Sequence, residues 1–467
     1  MPRSSAPVCR RPTSRCCSMR STGMPASLPA PTRSRNPGRS STPSWPPGVI
    51  RPPPRSISTS RVTGGRRRAP AGWRPRAVAG SISVRFSPER PRRDSPGMIA
   101  CSHDRMHGMM EGMIRRTPTS PAPLAIGPIT LDAPMVQAAL SGYSDRAMRV
   151  LARRHGAAYT IGEVLLDRFV VEAAASRRNR ARLAVDSEEH PVGGQLMGAN
   201  PDDFPPAAVK LVEAGFDVID INFGCPVKKV LGRCRGGYLL SQPETALEIV
   251  ARVREAVPPA VPVTLKMRRG IDDSAESLEK FWQIFEGAYA LGAAAITVHG
   301  RSVRQRYDGP SSWEFLAEVK RRAGERVVLG SGDLFSPAAC VAMLEQTGVD
   351  GVSIARGAIG NPWIFTGVRR LLAGEPAPPP PSLHEQRAML REHFRLAEEL
   401  HGEELAARVM RKFAIKYARM HPEFIAVRDA FVAVKTTGEW HAVLDARYAE
   451  DLPGRMPDDD IDETCGE

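Results

Sequence analysis

The 467-residue sequence predicts an α/β protein, a closed (β/α)8 barrel of TIM type followed by a small all-helical domain, behind an N-terminal extension that does not fold. Three observations carry this. From residue 127, short β-branched runs alternate with longer amphipathic stretches such as "PAAVKLVEAG" and "ALEIVARVREAV". Eight such units fit into roughly 240 residues, the usual size of a closed barrel. No GxGxxG turn follows the first strand, which argues against the nearest alternative, an open doubly wound sheet.

Residues 1–120 hold 23 arginines against four acids, many Pro, Ser and Gly, no Lys and no helical or strand period, so they are expected to stay disordered. A basic RNA-binding arm, an Arg-rich transit peptide and upstream sequence from too early a start codon all suit this composition. The last is favoured, because Arg without Lys beside Pro, Gly, Ala and Ser is what a GC-rich frame yields without selection for folding. Met98, Met106, Met109, Met110 and Met113 offer later starts. The extension also explains the formal charge of +14: the remainder carries 42 basic and 47 acidic residues, so a polyanionic partner must be gripped by a local patch.

The barrel is expected over residues 121–375. Its strands, in order, are "ITLDAPM", "AAYTIGEV", "PVGGQLMG", "DVIDINFG", "PVTLKMR", "AAITVHGR", "RVVLGSGD" and "GVSIARGA". The proline-rich "LLAGEPAPPPPSL" reads as a linker. Beyond it "HEQRAMLREHFRLAEELHG" and "ELAARVMRKFAIKYARMH" place apolar residues at three- and four-residue spacing, a helical domain over 376–455. Residues 456–467 form an acidic, frayed tail.

Eight scattered cysteines without a CxxC pair predict neither a disulfide framework nor a metal site and point to a reducing cytoplasm. No apolar run approaches a membrane span, so a soluble protein is expected, and a monomer.

Strand side chains alternate, so "VIDINF" sends Asp220 and Asn222 to one face. The same spacing groups Thr264, Lys266 and Arg268 in "VTLKMR", Thr297, His299 and Arg301 in "ITVHGR", and Gln195 with Gly193 and Met197 in "VGGQLM". A single buried His or Gln is usually a satisfied core residue; four strands aiming polar groups inward at one end predict a site. Lys266 needs an anionic or strongly accepting partner, either a bound anionic cofactor or Asp220. Glycines just past the seventh and eighth strands, in "GSGD" and "ARGAIGNPWIF", lie where barrels bind phosphate, with Gly332 and Arg356 as the grip. Cys225 follows the fourth strand, in a loop with Gly224, Pro226 and the cations Lys228 and Lys229. That setting suits a general acid better than a packed thiol. Cys234 and Cys340 lack it and read as structural.

"APM", "HPVGGQLMG", "INFGCPVKKV", "LKMRRGIDD", "VHGRSVRQRYDGPSSW", "GSGD" and "ARGAIGNPWIF" together resemble the tRNA-dihydrouridine synthases, bacterial flavoenzymes of the branch once labelled nitrogen-regulation proteins, from about Ala133 to Phe365. The resemblance implies an FMN-bearing barrel and a helical tRNA-binding domain, reducing the C5=C6 bond of particular uridines in tRNA with NADPH as electron source. It places Pro134, Met135, Val136, Gln195 and Lys266 around the flavin ring, Gly332, Asp333, Ala355 and Arg356 at ribityl and phosphate, and His299 at a flavin-site position, with Ser331 counted among the cofactor residues. Cys225 matches the family's proton donor and Asn222 a residue contacting the target uracil. Lys228, Arg268, Arg301 and Arg306 are candidates for holding the RNA.

Departures from the family pattern touch positioning. "APMVQAALSGYSD" replaces a shorter segment, so either "PMV" or "LSG" would touch the flavin; Ser331 stands for the usual Asn, and "GRCRGGYLL" is bulkier than the family's form. The competing readings are a flavin barrel acting on a free small molecule, a tRNA-binding protein without catalysis, and a Schiff-base aldolase using Lys266.

Overall fold

In the computed structural model, residues 123–172 and 181–457 are described; the extension up to 122 and the tail from 458 lie outside the described residues. Parallel strands β3 (Met135–Gln137), β4 (Tyr159–Ile161), β6 (Val192–Met197), β7 (Val218–Phe223), β8 (Val263–Arg268), β9 (Ala295–His299), β10 (Val328–Ser331) and β11 (Gly351–Ile354) form the barrel. They are hydrogen-bonded in the order β4-β3-β11-β10-β9-β8-β7-β6, and β4 pairs with β6 to close the ring. A short strand β5 (Leu165–Leu166) extends the C-terminal end of β6. Helices cover the outside, so the strands are buried on both faces and read as near-continuous apolar runs.

The helices after β8, β9 and β10 start on the serines 274, 312 and 336, each accepting the N–H three residues on. A hydroxyl there satisfies a donor that the first helical turn leaves free. These caps fix the length of the loops that leave the strand tips, where the site lies.

One expected strand is divided. In "ITLDAPM" the first three residues form β2 (Ile129–Leu131), which pairs antiparallel with β1 (Leu124–Ile126), and the barrel strand begins only at Met135. Pro134 has no N–H to give to a ladder, and Gly127 at φ +58° turns the hairpin. Gly127 sits against Pro262 and Ala294 and Leu124 against Gly351, so the hairpin closes the N-terminal end of the barrel.

After the proline-rich segment come the helices Leu383–His401, Glu403–Tyr417, Phe424–Ala433 and Thr437–Arg447. The first and last open on capping boxes, Ser382 with Glu385 and Thr436 with Glu439. Phe394, Phe413, Tyr417, Phe431 and Trp440 are buried, in one apolar cluster continuous with the barrel core. Among the described residues no helix is long and apolar enough to cross a membrane, and no group of His, Cys, Asp or Glu is arranged to hold a metal ion.

Candidate active site

Register sets the inward polar residues in three rows across neighbouring strands. Gln195, Asp220 and Thr264 are Cα partners in one row, Asn222, Lys266 and Thr297 in the next, and Arg268, His299 and Ser331 in the third, nearest the C-terminal mouth. Above them opens a cavity of about 500 Å³, with walls from the loops after β3, β7, β9, β10 and β11. Its size is that of a small-molecule or cofactor site.

In its lining stands Cys225, a half-buried free thiol. Its loop is pinned from below: Asn222 Oδ1 accepts the N–H groups of Gly224 (2.9 Å) and Cys225 itself (3.1 Å). Arg268, 4 % exposed, ties the loop to its neighbour, donating from Nε to Gly224 O (3.0 Å) and from Nη1 to Ser302 O (2.9 Å) and Arg306 O (2.6 Å). Burial pushes the thiol pKa up, opposed by the Val227 backbone and the Arg268 charge. The sulfur is therefore held as S–H at neutral pH, the state a proton donor needs.

Further basic side chains line the same cavity. Lys266 Nζ donates to Ser331 Oγ at 3.1 Å, and Ser331 Oγ donates to Ser353 O at 3.3 Å. Burial brings the ammonium down to about 8; the Asp220 carboxylate opposes this and Arg268 adds to it. Asp220 makes no ion pair with Lys266 among the described residues, its oxygens being taken by Thr264 and Gln195. Burial, and then the charges of Arg268, Lys266, Arg301 and Arg356, hold the His299 imidazole well below its usual range, hence neutral. Its Nε2 is buried without a hydrogen-bond partner although His299 lines the cavity. Such an atom is satisfied by a bound ligand or water.

The loop after β10 makes a tight turn. Gly332 has φ +126°, and a Cβ there would lie 2.3 Å from Ser311 Oγ. Asp333 follows in the left-handed region, its carboxylate held by Arg301 Nη1 (2.8 Å) and the Ser311 N–H (2.7 Å). Arg356, in the turn after β11, lies over the rings of Tyr307 (4.3 Å) and Phe335 (5.1 Å).

Of the residues singled out in the sequence, Gln195, Asn222, Cys225, Lys266, Arg268, His299, Ser331, Gly332, Asp333, Ala355 and Arg356 line this one cavity. Pro134, Met135 and Val136 are buried outside the lining, which on that side is made by Ala139, Leu140, Ser141 and Tyr143, the "LSG" side of the segment. Arg301 is 2 % exposed, committed to Gly309 O and Asp333, and stands beneath its loop, not at the rim. Lys228 is exposed beside Val227 of the lining, and Arg306 is half-buried with a left-handed φ of 49°. Arg304 is paired with Asp272. Cys340 is fully buried, its thiol pushed up to about 12, as a structural cysteine should be. Sequence reasoning did not single out Tyr307, an exposed aromatic over the mouth, or Phe335; an aromatic inside the arginine-rich "RSVRQRYDG" was the available signal.

Comparison with known proteins gives one consistent family. The profile described as "Dihydrouridine synthase (Dus)" matches residues 133–452. A probable tRNA-dihydrouridine synthase of Mycobacterium tuberculosis (strain ATCC 25618 / H37Rv) is 36 % identical over 353 residues, covering 74 % of this chain and 89 % of that one. A tRNA-dihydrouridine synthase B of Pseudomonas aeruginosa is 36 % identical over 326 residues, covering 70 % and 96 %. A probable tRNA-dihydrouridine synthase 1 of Synechocystis is 33 % identical over 326 residues, covering 69 % and 88 %.

Proposed function

The chain belongs to the dihydrouridine synthase family, and from that premise we propose that it reduces the C5=C6 bond of specific uridines in tRNA, with FMN in the barrel mouth and NADPH as the source of electrons. The observation that carries this reading is one cavity lined both by a thiol held protonated and by a lysine ammonium.

The residues present fit a flavin. The cavity has room for one, His299 Nε2 awaits a partner, and the turn at Gly332 has no space for a side chain, which leaves backbone N–H groups free to approach an anion. Gln195, Lys266 and His299 would hold the ring, with Ser331 behind Lys266, and Gly332, Asp333, Ala355 and Arg356 the ribityl and phosphate. Bound there and reduced, the flavin supplies the hydride equivalent that uracil C6 must receive.

This chain's residues do the rest. Cys225 Sγ gives its proton to uracil C5, and the thiolate regains one from water through the open mouth. The charge on Lys266 stabilises negative charge at the flavin's pyrimidine edge. Asn222 has a second amide hydrogen to offer uracil, since only one is committed to Gln195. The target base must leave its stack to enter, so Tyr307 at the mouth and the cations Lys228 and Arg306 around it would meet the flipped nucleotide, with Arg268 fixed in the wall by its backbone partners. The helices from Leu383 onward would carry the rest of the tRNA, as a helical tRNA-binding part spanning about 376–455.

The test is Cys225→Ala. The variant is expected to purify with flavin and to bind tRNA as the parent does, yet to lose most dihydrouridine formation when modified tRNA is assayed. Parental turnover in that variant would refute the acid assignment, and a purified parent without a flavin absorbance band would refute the cofactor.

A further inference from the structure

Among the described residues, Asp220 is the one carboxylate turned to the barrel interior by strand register that the reaction above does not use. It is 1 % exposed and stands outside the cavity lining. Its Oδ1 accepts from Thr264 Oγ1 at 2.6 Å, and its Oδ2 accepts from Gln195 Nε2 at 2.6 Å. Gln195 Oε1 in turn accepts from Asn222 Nδ2 at 2.8 Å. Asn222 Oδ1 then accepts the N–H groups of Gly224 and Cys225.

The chain has a direction, and the carboxylate sets it. A primary amide can point either way, and its orientation follows from its partners. Facing Asp220, which offers oxygen on that side, Gln195 must turn its NH2 downward and its carbonyl toward Asn222. Asn222 must therefore present its NH2 to Gln195 and its carbonyl to the two backbone N–H groups. Were the order reversed, the Asn222 NH2 would face the Gly224 and Cys225 N–H groups, donor against donor, and the loop would lose its anchor. Proton transfer depends steeply on where the donor sits, and a misplacement of about 1 Å costs on the order of 100-fold.

We propose that Asp220 is a positioning residue for proton transfer: through Gln195 and Asn222 it fixes the amide polarity that holds the backbone of Cys225 in place. This rests on the reading of Cys225 as the acid. It predicts that what matters at position 220 is an acceptor facing Gln195, not the negative charge. Asparagine can supply one, with its Nδ2 turned to the Thr264 hydroxyl, which is able to accept; leucine, of similar size, cannot.

The experiment measures amide hydrogen exchange at Gly224 and Cys225, and the pH dependence of Cys225 alkylation by iodoacetamide, on full-length flavin-loaded protein. In the parent both amides should be protected although they lie in a loop at the cavity. In Asp220→Leu their protection should fall by roughly tenfold or more, the net worth of a hydrogen bond. The alkylation profile should shift to lower pH as the sulfur gains access to water, and kcat should drop by about 10- to 100-fold. Asp220→Asn should restore the protection and the alkylation profile. Equal losses in the two variants would overturn the proposal by making charge the operative property, as would unchanged protection in the leucine variant. If the leucine variant does not fold, unprotected Gly224 and Cys225 amides in the parent, or lost protection in Asp220→Asn, still refute it. Exchange and alkylation are read without turnover, so active Cys225→Ala would sink the acid assignment while these data still decide the relay.

Discussion

Burial holds the Lys266 ammonium at about 8, so its charge is present at neutral pH and is lost as the pH rises through that value. A carbonyl or ring-nitrogen acceptor of the flavin bound beside Nζ favours the charged form and raises this pKa, so binding above about 8 must take up a proton. The affinity of the protein for FMN, followed by flavin fluorescence, should therefore be level below that pH and fall above it, by up to about tenfold per pH unit. Lys266→Met should bind more weakly with no such slope; the same slope in both proteins would remove Lys266 from the cofactor's surroundings. The site's polar strand residues were legible in the sequence because strand alternation alone turns Gln195, Asn222, Lys266 and His299 to one face, and "GSGD" and "ARG" fall at strand ends. Tyr307 and Leu140 reach the same cavity from loops, whose paths depend on packing that no local period encodes. Arg301 shows the converse: the alternation turns it inward, yet Asp333 and the Gly309 carbonyl draw its guanidinium under the loop.

Each loop that leaves a strand tip carries its own conformational demand, and two glycines separate the demand of the site from that of a helix end. Gly332 combines φ +126° with contact to Ser311, whereas Gly348, which ends the helix Pro337–Thr347, has φ +69° and open space around it. Gly348→Ala meets only the left-handed backbone penalty of about 1–2 kcal/mol. Gly332→Ala must also displace Ser311, whose N–H holds Asp333, and overpacking of this kind adds about 1–3 kcal/mol. Both variants should lower Tm, Gly332→Ala further, and it alone should lose flavin on gel filtration; equal flavin retention would separate the turn from the cofactor. Seven of the eight barrel strands lie inside the segments that periodicity marks, and their order follows from right-handed βα succession. The exception, "ITLDAPM", holds the hairpin strand Ile129–Leu131 and only the first residue, Met135, of the barrel strand. β-Branched residues before a proline suit either role, and only the antiparallel partner at Leu124–Ile126 decides between them.

The helical part and the barrel meet at the wall of the cavity itself. Tyr143, in the lining, packs edge-on against Phe413 with ring centroids 5.4 Å apart, and Lys412 Nζ lies over both rings at about 5 Å. Two residues on, Asp145 caps the helix Arg146–Arg154 through Met148 N–H and also meets His401 Nε2 at 3.3 Å, so one short segment answers to both parts of the molecule. The amphipathic spacing of "RVMRKFAIKYARM" revealed that this helix buries a face, but a single sequence does not say that Tyr143 is what Phe413 covers. The consequence is a comparison between two buried aromatics. Phe413→Ala and Trp440→Ala each remove a large ring from the core, at about 3–5 kcal/mol, and should lower Tm to a similar extent. Trp440 packs on Phe394 and Phe431, and none of the three lines the cavity, so its loss should leave flavin content intact at temperatures where the protein stays folded. Phe413→Ala removes the ring that Tyr143 packs against and so loosens the segment that walls the cavity, and flavin content should fall and KM for tRNA should rise under those same conditions. If the two variants retain flavin equally, the helical part serves the barrel only by sharing its core, and tRNA held on those helices has no structural route to the cavity wall through Tyr143.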